Sequence, residues 1–280
     1  MPFPLYMFSL IVVASTILLI VAGGLVTSHE AGLAVPDWPR SYGQWFPPMI
    51  GNVFWEHGHR LIAGSVGILT FLLTLWIQLQ EKRVWLKKLA WAAFLAVLLQ
   101  ALLGGLTVLY LLPVSISVFH ATLGQTFFCL IAAVAYYLSP AFLREQKGGA
   151  AEDAKIKRLL MLIAFFVYLQ LILGAVIRHS PFTVVPHVIL AFLIFLHVGL
   201  ALMRILNGPG FEKTLSRSAL GLGLLTVIQV FLGMGAFIFT RMLPRGYSPS
   251  SGSVLFATAH QTVGALILAA SVLMILMTRR

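Results

Sequence analysis

The stretch Gln100-Ala-Leu-Leu-Gly-Gly-Leu-Thr-Val108, followed by His120-Ala-Thr-Leu-Gly124, decides the fold, because it occurs twice. Its echo is Gln229-Val-Phe-Leu-Gly-Met-Gly-Ala-Phe237 followed by His260-Gln-Thr-Val-Gly264. The repeat reaches the first apolar run of each half, where Gly24-Leu-Val-Thr-Ser-His29 aligns with Gly174-Ala-Val-Ile-Arg-His179. Two further histidines, His59 and His187, precede the repeated ones by two apolar runs in each half. The chain therefore reads as a tandem duplication that carries matched histidine pairs.

Outward from that repeat, composition sets the environment. The 280 residues are 60% hydrophobic and 10% charged, far too few charges to clothe a water-facing surface of this size. Apolar runs fall near 5–27, 59–80, 87–110, 117–138, 158–178, 185–205, 217–240 and 254–277, each about the 20 residues that cross a bilayer as a helix. The first is too long for a signal-peptide core and lacks a small-residue cleavage site, so it reads as a retained helix. The expected fold is all-α and integral to the membrane: eight transmembrane helices as two pseudosymmetric four-helix bundles. An even number of spans per half makes the repeats parallel. The expected units are 1–143, a polar linker at 144–157 and 158–280.

The net charge of +11 is unevenly placed. Lys82, Arg83, Lys87, Lys88, Arg144, Lys147, Lys155, Lys157, Arg158, Arg204, Lys213, Arg217, Arg279 and Arg280 fall on one side of the predicted spans. Only Arg40, Arg60, Arg178, Arg241 and Arg245 fall on the other. The positive-inside rule then puts both termini in the cytoplasm of a cytoplasmic-membrane protein. The basic excess is topology, and no nucleic-acid partner is expected. The single cysteine, Cys129, lies within a span and reads as a packing residue.

Seven of the eight histidines lie at the outer ends of the runs or in the outer loops, with His197 deeper. Ionisable side chains in spans are costly and mark function. His59 with His120, and His187 with His260, deliver one imidazole each from facing helices, the way a bundle holds haem iron. His29 and His179 are weighed as flanking groups, while His57 and His197 read as structural. Glu56 precedes His59 by one helical turn and shares its face. It reads equally as an acid–base group or as a glutamate favoured at a helix start. Arg60 reads as a snorkelling or propionate-pairing residue. The first outer loop, with Val35-Pro-Asp-Trp-Pro39 and Tyr42-Gly-Gln-Trp-Phe-Pro-Pro48, reads as an ordered cap about 30 residues long at the interface. The outer loop 241–253 reads as looser.

Gly23-Gly-Leu-Val-Thr27, Gly32-Leu-Ala-Val-Pro-Asp-Trp-Pro39, Glu56-His-Gly-His-Arg60 and His120-Ala-Thr-Leu-Gly124, with His187 and His260 downstream, resemble the haem A synthase family (CtaA-like). With no cysteine in its loops the chain matches the subtype lacking loop cysteine pairs. The resemblance implies oxidation of a ring methyl of haem O to the formyl of haem A, for cytochrome oxidase. It implies His59 and His120 around the substrate haem, His187 and His260 around a resident haem b, and Glu56 as the catalytic residue. His29, Arg60 and His179 would flank the sites. Implied partners are haem O synthase and a membrane electron donor such as quinol, within the lipid. A di-haem b-type electron carrier is the alternative, and a transporter is a more distant one.

Overall fold

With no water in the bilayer core, an apolar segment satisfies its backbone only by closing into a helix. The eight apolar runs do so. The computed structural model describes residues 3–145, 154–180, 182–208, 213–244, 246 and 248–278. The long helices are α1 (Phe3–Ser28), α2 (Asn52–Gln80), α3 (Val84–Leu109), α4 (Val114–Leu138), α6 (Ala154–His179), α7 (Val185–Asn207), α8 (Lys213–Phe237) and α9 (Ser251–Met277). A short α5 (Pro140–Glu145) follows α4, and α8 runs on into a π-helical turn, Ile238–Met242. All eight long helices are long and apolar enough to cross a membrane, and the chain is an all-α integral membrane protein. Large apolar side chains such as Leu18, Ile68, Leu95, Phe192 and Leu224 point outward, where lipid takes the place of water. Lys147, Arg245, Arg279 and Arg280, and residues 146–153 of the expected linker, lie outside the described residues.

Packing follows the repeat. In the first half α1 packs on α2 and α4, and α3 packs on α2 and α4. The second half repeats this, with α6 on α7 and α9, and α8 on α7 and α9. Each half has its own core: one is built around Leu73, Ile77, Phe127 and Ile131, the other around Ile163, Ile194, Leu222 and Leu268. The halves meet where α1 and α4 touch α9 and where α4 touches α6. That seam is packed by Phe128, Ala132, Ala265 and Ala269, with Cys129 against them. Small residues there let the helices approach closely, which is what drives association where lipid is as apolar as leucine.

At the end opposite the histidines, Glu81 takes the amide N–H groups of Lys82 and Arg83 at 2.8 and 2.9 Å and pairs with the Arg83 guanidinium. Partial burial opposes ionisation of Glu81, but Arg83 outweighs it and holds the carboxyl below its usual range. Arg83 also reaches Tyr137 O at 3.0 Å, tying the α2–α3 turn to α4.

Candidate functional site

The four paired histidines do not sit at helix boundaries alike. α2 starts seven residues before His59, so His59 lies about 10 Å inside the helix at 1.5 Å per residue. His120 and His260 are likewise more than a turn inside α4 and α9, whereas His187 lies near the start of α7. All four are partly buried at the same end of the molecule.

Each imidazole rests on a glycine of the preceding long helix. A Cβ at Gly23 would lie 3.1 Å from His59 Cε1, at Gly104 3.0 Å from His120, at Gly174 3.3 Å from His187 and at Gly233 2.9 Å from His260. The neighbouring glycines serve other groups. Gly24 abuts Thr258, Gly105 abuts the Trp38 ring of the outer loop, and Gly235 abuts Phe256. Aligned on the imidazoles, Gly174 therefore corresponds to Gly23, one residue before the partner that the sequence repeat suggests.

One helical turn below three of these glycines stands a glutamine. Gln100 Nε2 donates to His120 O at 2.8 Å, Gln170 Nε2 to His187 O at 2.9 Å and Gln229 Nε2 to His260 O at 3.0 Å. Two of the glutamines also serve the ring. His120 Nδ1 lies 3.1 Å from Gln100 O, and His260 Nδ1 lies 3.2 Å from Gln229 O. A carbonyl oxygen can only accept, so both Nδ1 atoms carry the hydrogen and Nε2 keeps its lone pair. That is the tautomer a metal needs. The position corresponding to the glutamines in α1 is Leu19, and among the described residues His59 Nδ1 and His187 Nδ1 are buried without a hydrogen-bond partner within reach. Sequence reading found Gln100 and Gln229 as part of the repeat but gave them no task, and it passed over Gln170. The signal was present as Gln-x-x-x-Gly in three helices.

The His187 and His260 ring centres are 6.1 Å apart. An imidazole–metal bond of about 2 Å on each side, with Nε2 roughly 1 Å from its ring centre, asks for about 6 Å. The second pair thus fits one iron between two imidazoles. His59 and His120 stand at the same end of the first bundle, on α2 and α4. Among the described residues no three ligating side chains cluster as a self-contained metal site, which a porphyrin iron with two axial ligands does not require.

Among the described residues, the first pair alone lies beneath a built cap. Glu56 Oε2 accepts from Val35 N at 2.8 Å, and Glu56 Oε1 pairs with Arg60 at 2.5 Å. Arg60 also donates to Asp37 O, Arg40 O and Ser41 Oγ. His57 Nδ1 meets Ser41 Oγ at 2.8 Å, and His29 stacks on Trp55 with ring centres 4.1 Å apart. Partial burial lowers the His29 pKa, favouring the neutral ring. Residues 29–51 form this cap, shorter than the apolar run suggests because α2 begins early. Val35, Ala31 and Ser41 are fully buried in it. The structure therefore brings Glu56, Arg60 and His57 together as loop anchors on the helix of His59. His179 is the last residue of α6, which packs on α4, the helix of His120. His197 stands apart on α7, bonded to its own helix at Leu193 O.

Comparison with known proteins agrees with this arrangement. Residues 50–185 match the COX15-CtaA family, described as cytochrome oxidase assembly protein. A protein of Roseobacter denitrificans named Heme A synthase is 37% identical over 129 residues, 41% of this chain and 33% of that protein. One of the same name from Exiguobacterium sibiricum is 26% identical over 182 residues, 62% of this chain and 59% of its own length. A third, from Symbiobacterium thermophilum, is 28% identical over 172 residues, covering 59% and 56%. The matches span less than two thirds of each of these relatives. Eight apolar helices, histidines repeated in register and these similarities make the chain similar to the COX15-CtaA family and to the proteins named Heme A synthase.

Proposed function

We propose that the protein is a haem A synthase, oxidising a ring methyl of haem O to the formyl group of haem A for cytochrome oxidase. The observation that carries this reading is the asymmetry of a duplicated scaffold. Both bundles present histidine pairs, yet among the described residues only the first adds a buried glutamate and an ordered cap.

In this reading the bundle of residues 1–143 takes haem O as substrate between His59 and His120. The bundle of residues 158–280, joined to it through 144–157, holds haem b through His187 and His260. That haem supplies reversible one-electron transfer when bound. Converting a methyl to a formyl group is a four-electron oxidation that adds one oxygen. Two hydroxylations, each using one dioxygen with two electrons from the donor and two protons and releasing one water, give a gem-diol that loses water to the aldehyde. Glu56 is the acid–base group, with Oε2 as the atom that takes a proton once the Val35 bond is given up. Arg60 pairs with that carboxylate and, with His57 and Ser41, holds the cap that keeps water from the site. His29 and His179 flank the sites. His120 and His260 are fixed in their ligating tautomer by the Gln100 and Gln229 carbonyls. Haem O synthase supplies the substrate and a membrane electron donor such as quinol completes the circuit. Both termini lie in the cytoplasm, and the histidine end faces out across the cytoplasmic membrane.

Expression with and without a haem O synthase, followed by chromatography and mass analysis of extracted haem, tests the reading. Haem A or its hydroxymethyl precursor is expected only when haem O is supplied. In the same assay Glu56→Gln keeps its haem and loses formyl production by about a hundredfold or more. Haem B alone under both conditions would overturn the enzyme and leave the di-haem electron carrier.

A further inference from the structure

Arg178 is the penultimate residue of α6, and it turns inward. Its guanidinium donates to Ser28 Oγ at 2.7 Å, and Ser28 shares a 2.9 Å hydrogen bond with Thr258 Oγ1. Ser28 and Thr258 are both buried, 8% and 6% exposed. Here α1, α6 and α9 converge at the histidine end of the seam between the bundles. Thr258 lies two residues from His260, and Arg178 lies one turn beyond Gly174, on which His187 rests. The cation therefore stands beside the second histidine pair.

Among the described residues no carboxylate is paired with it. The ion pairs among the described residues are Glu56–Arg60 and Glu81–Arg83. A guanidinium offers five N–H donors in a planar fork, and among the described residues Arg178 makes one such bond. Charge inside a membrane span is costly and persists where it faces a partner. The helix dipole explains a cation in the last turn of α6. It does not explain one turned in toward a buried serine. The other described arginines at this end are engaged elsewhere: Arg60 with Glu56 and three loop residues, Arg241 with Ile177 O, and Arg40 over Trp45.

We propose that Arg178 is a carboxylate receptor, binding a propionate of the porphyrin held between His187 and His260, with Ser28 and Thr258 orienting the guanidinium. The proposal rests on the haem-binding reading above. A propionate matches the fork with two parallel bonds and supplies the missing negative charge. It also makes the seam between the bundles part of the haem site, since Ser28 belongs to the first bundle.

The test titrates the full-length apoprotein in detergent with haemin and with haemin dimethyl ester, following the bis-imidazole optical spectrum. The unaltered chain is expected to bind the free acid tenfold to about a hundredfold more tightly, the range of a charge-assisted hydrogen bond. Arg178→Gln binds both forms alike, and Arg178→Lys keeps part of the preference. An unchanged preference in Arg178→Gln, or none in the unaltered chain, overturns the proposal. If Arg178→Gln fails to fold, the absence of a preference in the unaltered chain still overturns the proposal, and Arg178→Lys carries the comparison. A bis-imidazole spectrum with no preference sinks the receptor alone. No such spectrum with either compound sinks the haem reading as well.

Discussion

Each paired histidine is seated by a residue with no side chain, and the contact leaves no room for one. A Cβ at Gly233 would stand 2.9 Å from His260 Cε1. The ring cannot swing clear without giving up its Nδ1 bond to Gln229 O. Gly233→Ala is therefore expected to weaken haem b retention roughly tenfold to a hundredfold, the usual effect of disturbing a group that orients a metal ligand. Gly221→Ala, whose Cβ meets open space, leaves retention unchanged. Haem content per protein, read from the optical spectrum after detergent extraction, separates the two. At this scale the histidines were legible because ionisable groups in apolar runs stand out. Their glycine partners were legible only as a repeat, since adjacent glycines such as Gly23 and Gly24 look alike in sequence and face different helices.

At the scale of an element, the cap over the first bundle carries its own electrostatics. Asp37 accepts the amides of Tyr42 and Gly43 at 2.6 and 2.8 Å. The Gly43 amide above all, with the Tyr42 amide and the Arg60 charge, holds its carboxyl below the ordinary value of 3.8 despite a small opposing effect of burial. Folding thus favours the charged form. Its contribution is complete above pH 3.8 and is lost as pH falls through the lower folded value. Fluorescence of the cap tryptophans Trp38 and Trp45 is expected to stay constant from pH 7 to about 4 and change only below. Asp37→Asn abolishes that acid transition and loosens the cap at neutral pH. An unaltered transition in Asp37→Asn would assign it to another group. The cap's existence was legible in its prolines and aromatics, but its length was not. α2 continues through polar Glu56-His-Gly-His-Arg60 because those side chains find loop partners, so hydropathy placed the helix start too late.

At the scale of the molecule, the two bundles share a seam of small side chains in which Ala265 is 1% exposed and Ala269 is 5% exposed. Ala265→Phe overfills that seam and should cost about 1–3 kcal/mol, lowering the thermal unfolding midpoint in detergent. Ala96→Phe, on α3 away from the seam, serves as the comparison. An equal loss in both would mean that the seam is no more tightly packed than the rest.

Helix number, membrane class and the duplicated histidine pairs were determined by the sequence, because hydropathy and spacing act locally along the chain. The pairing of Gly23 with His59, the binding of Glu56 and Arg60 into the cap and the inward turn of Arg178 were decided by the tertiary structure. Each joins residues from different helices or from a helix and a distant loop, and such contacts depend on how helices rotate and cross, which hydropathy along a single segment does not specify.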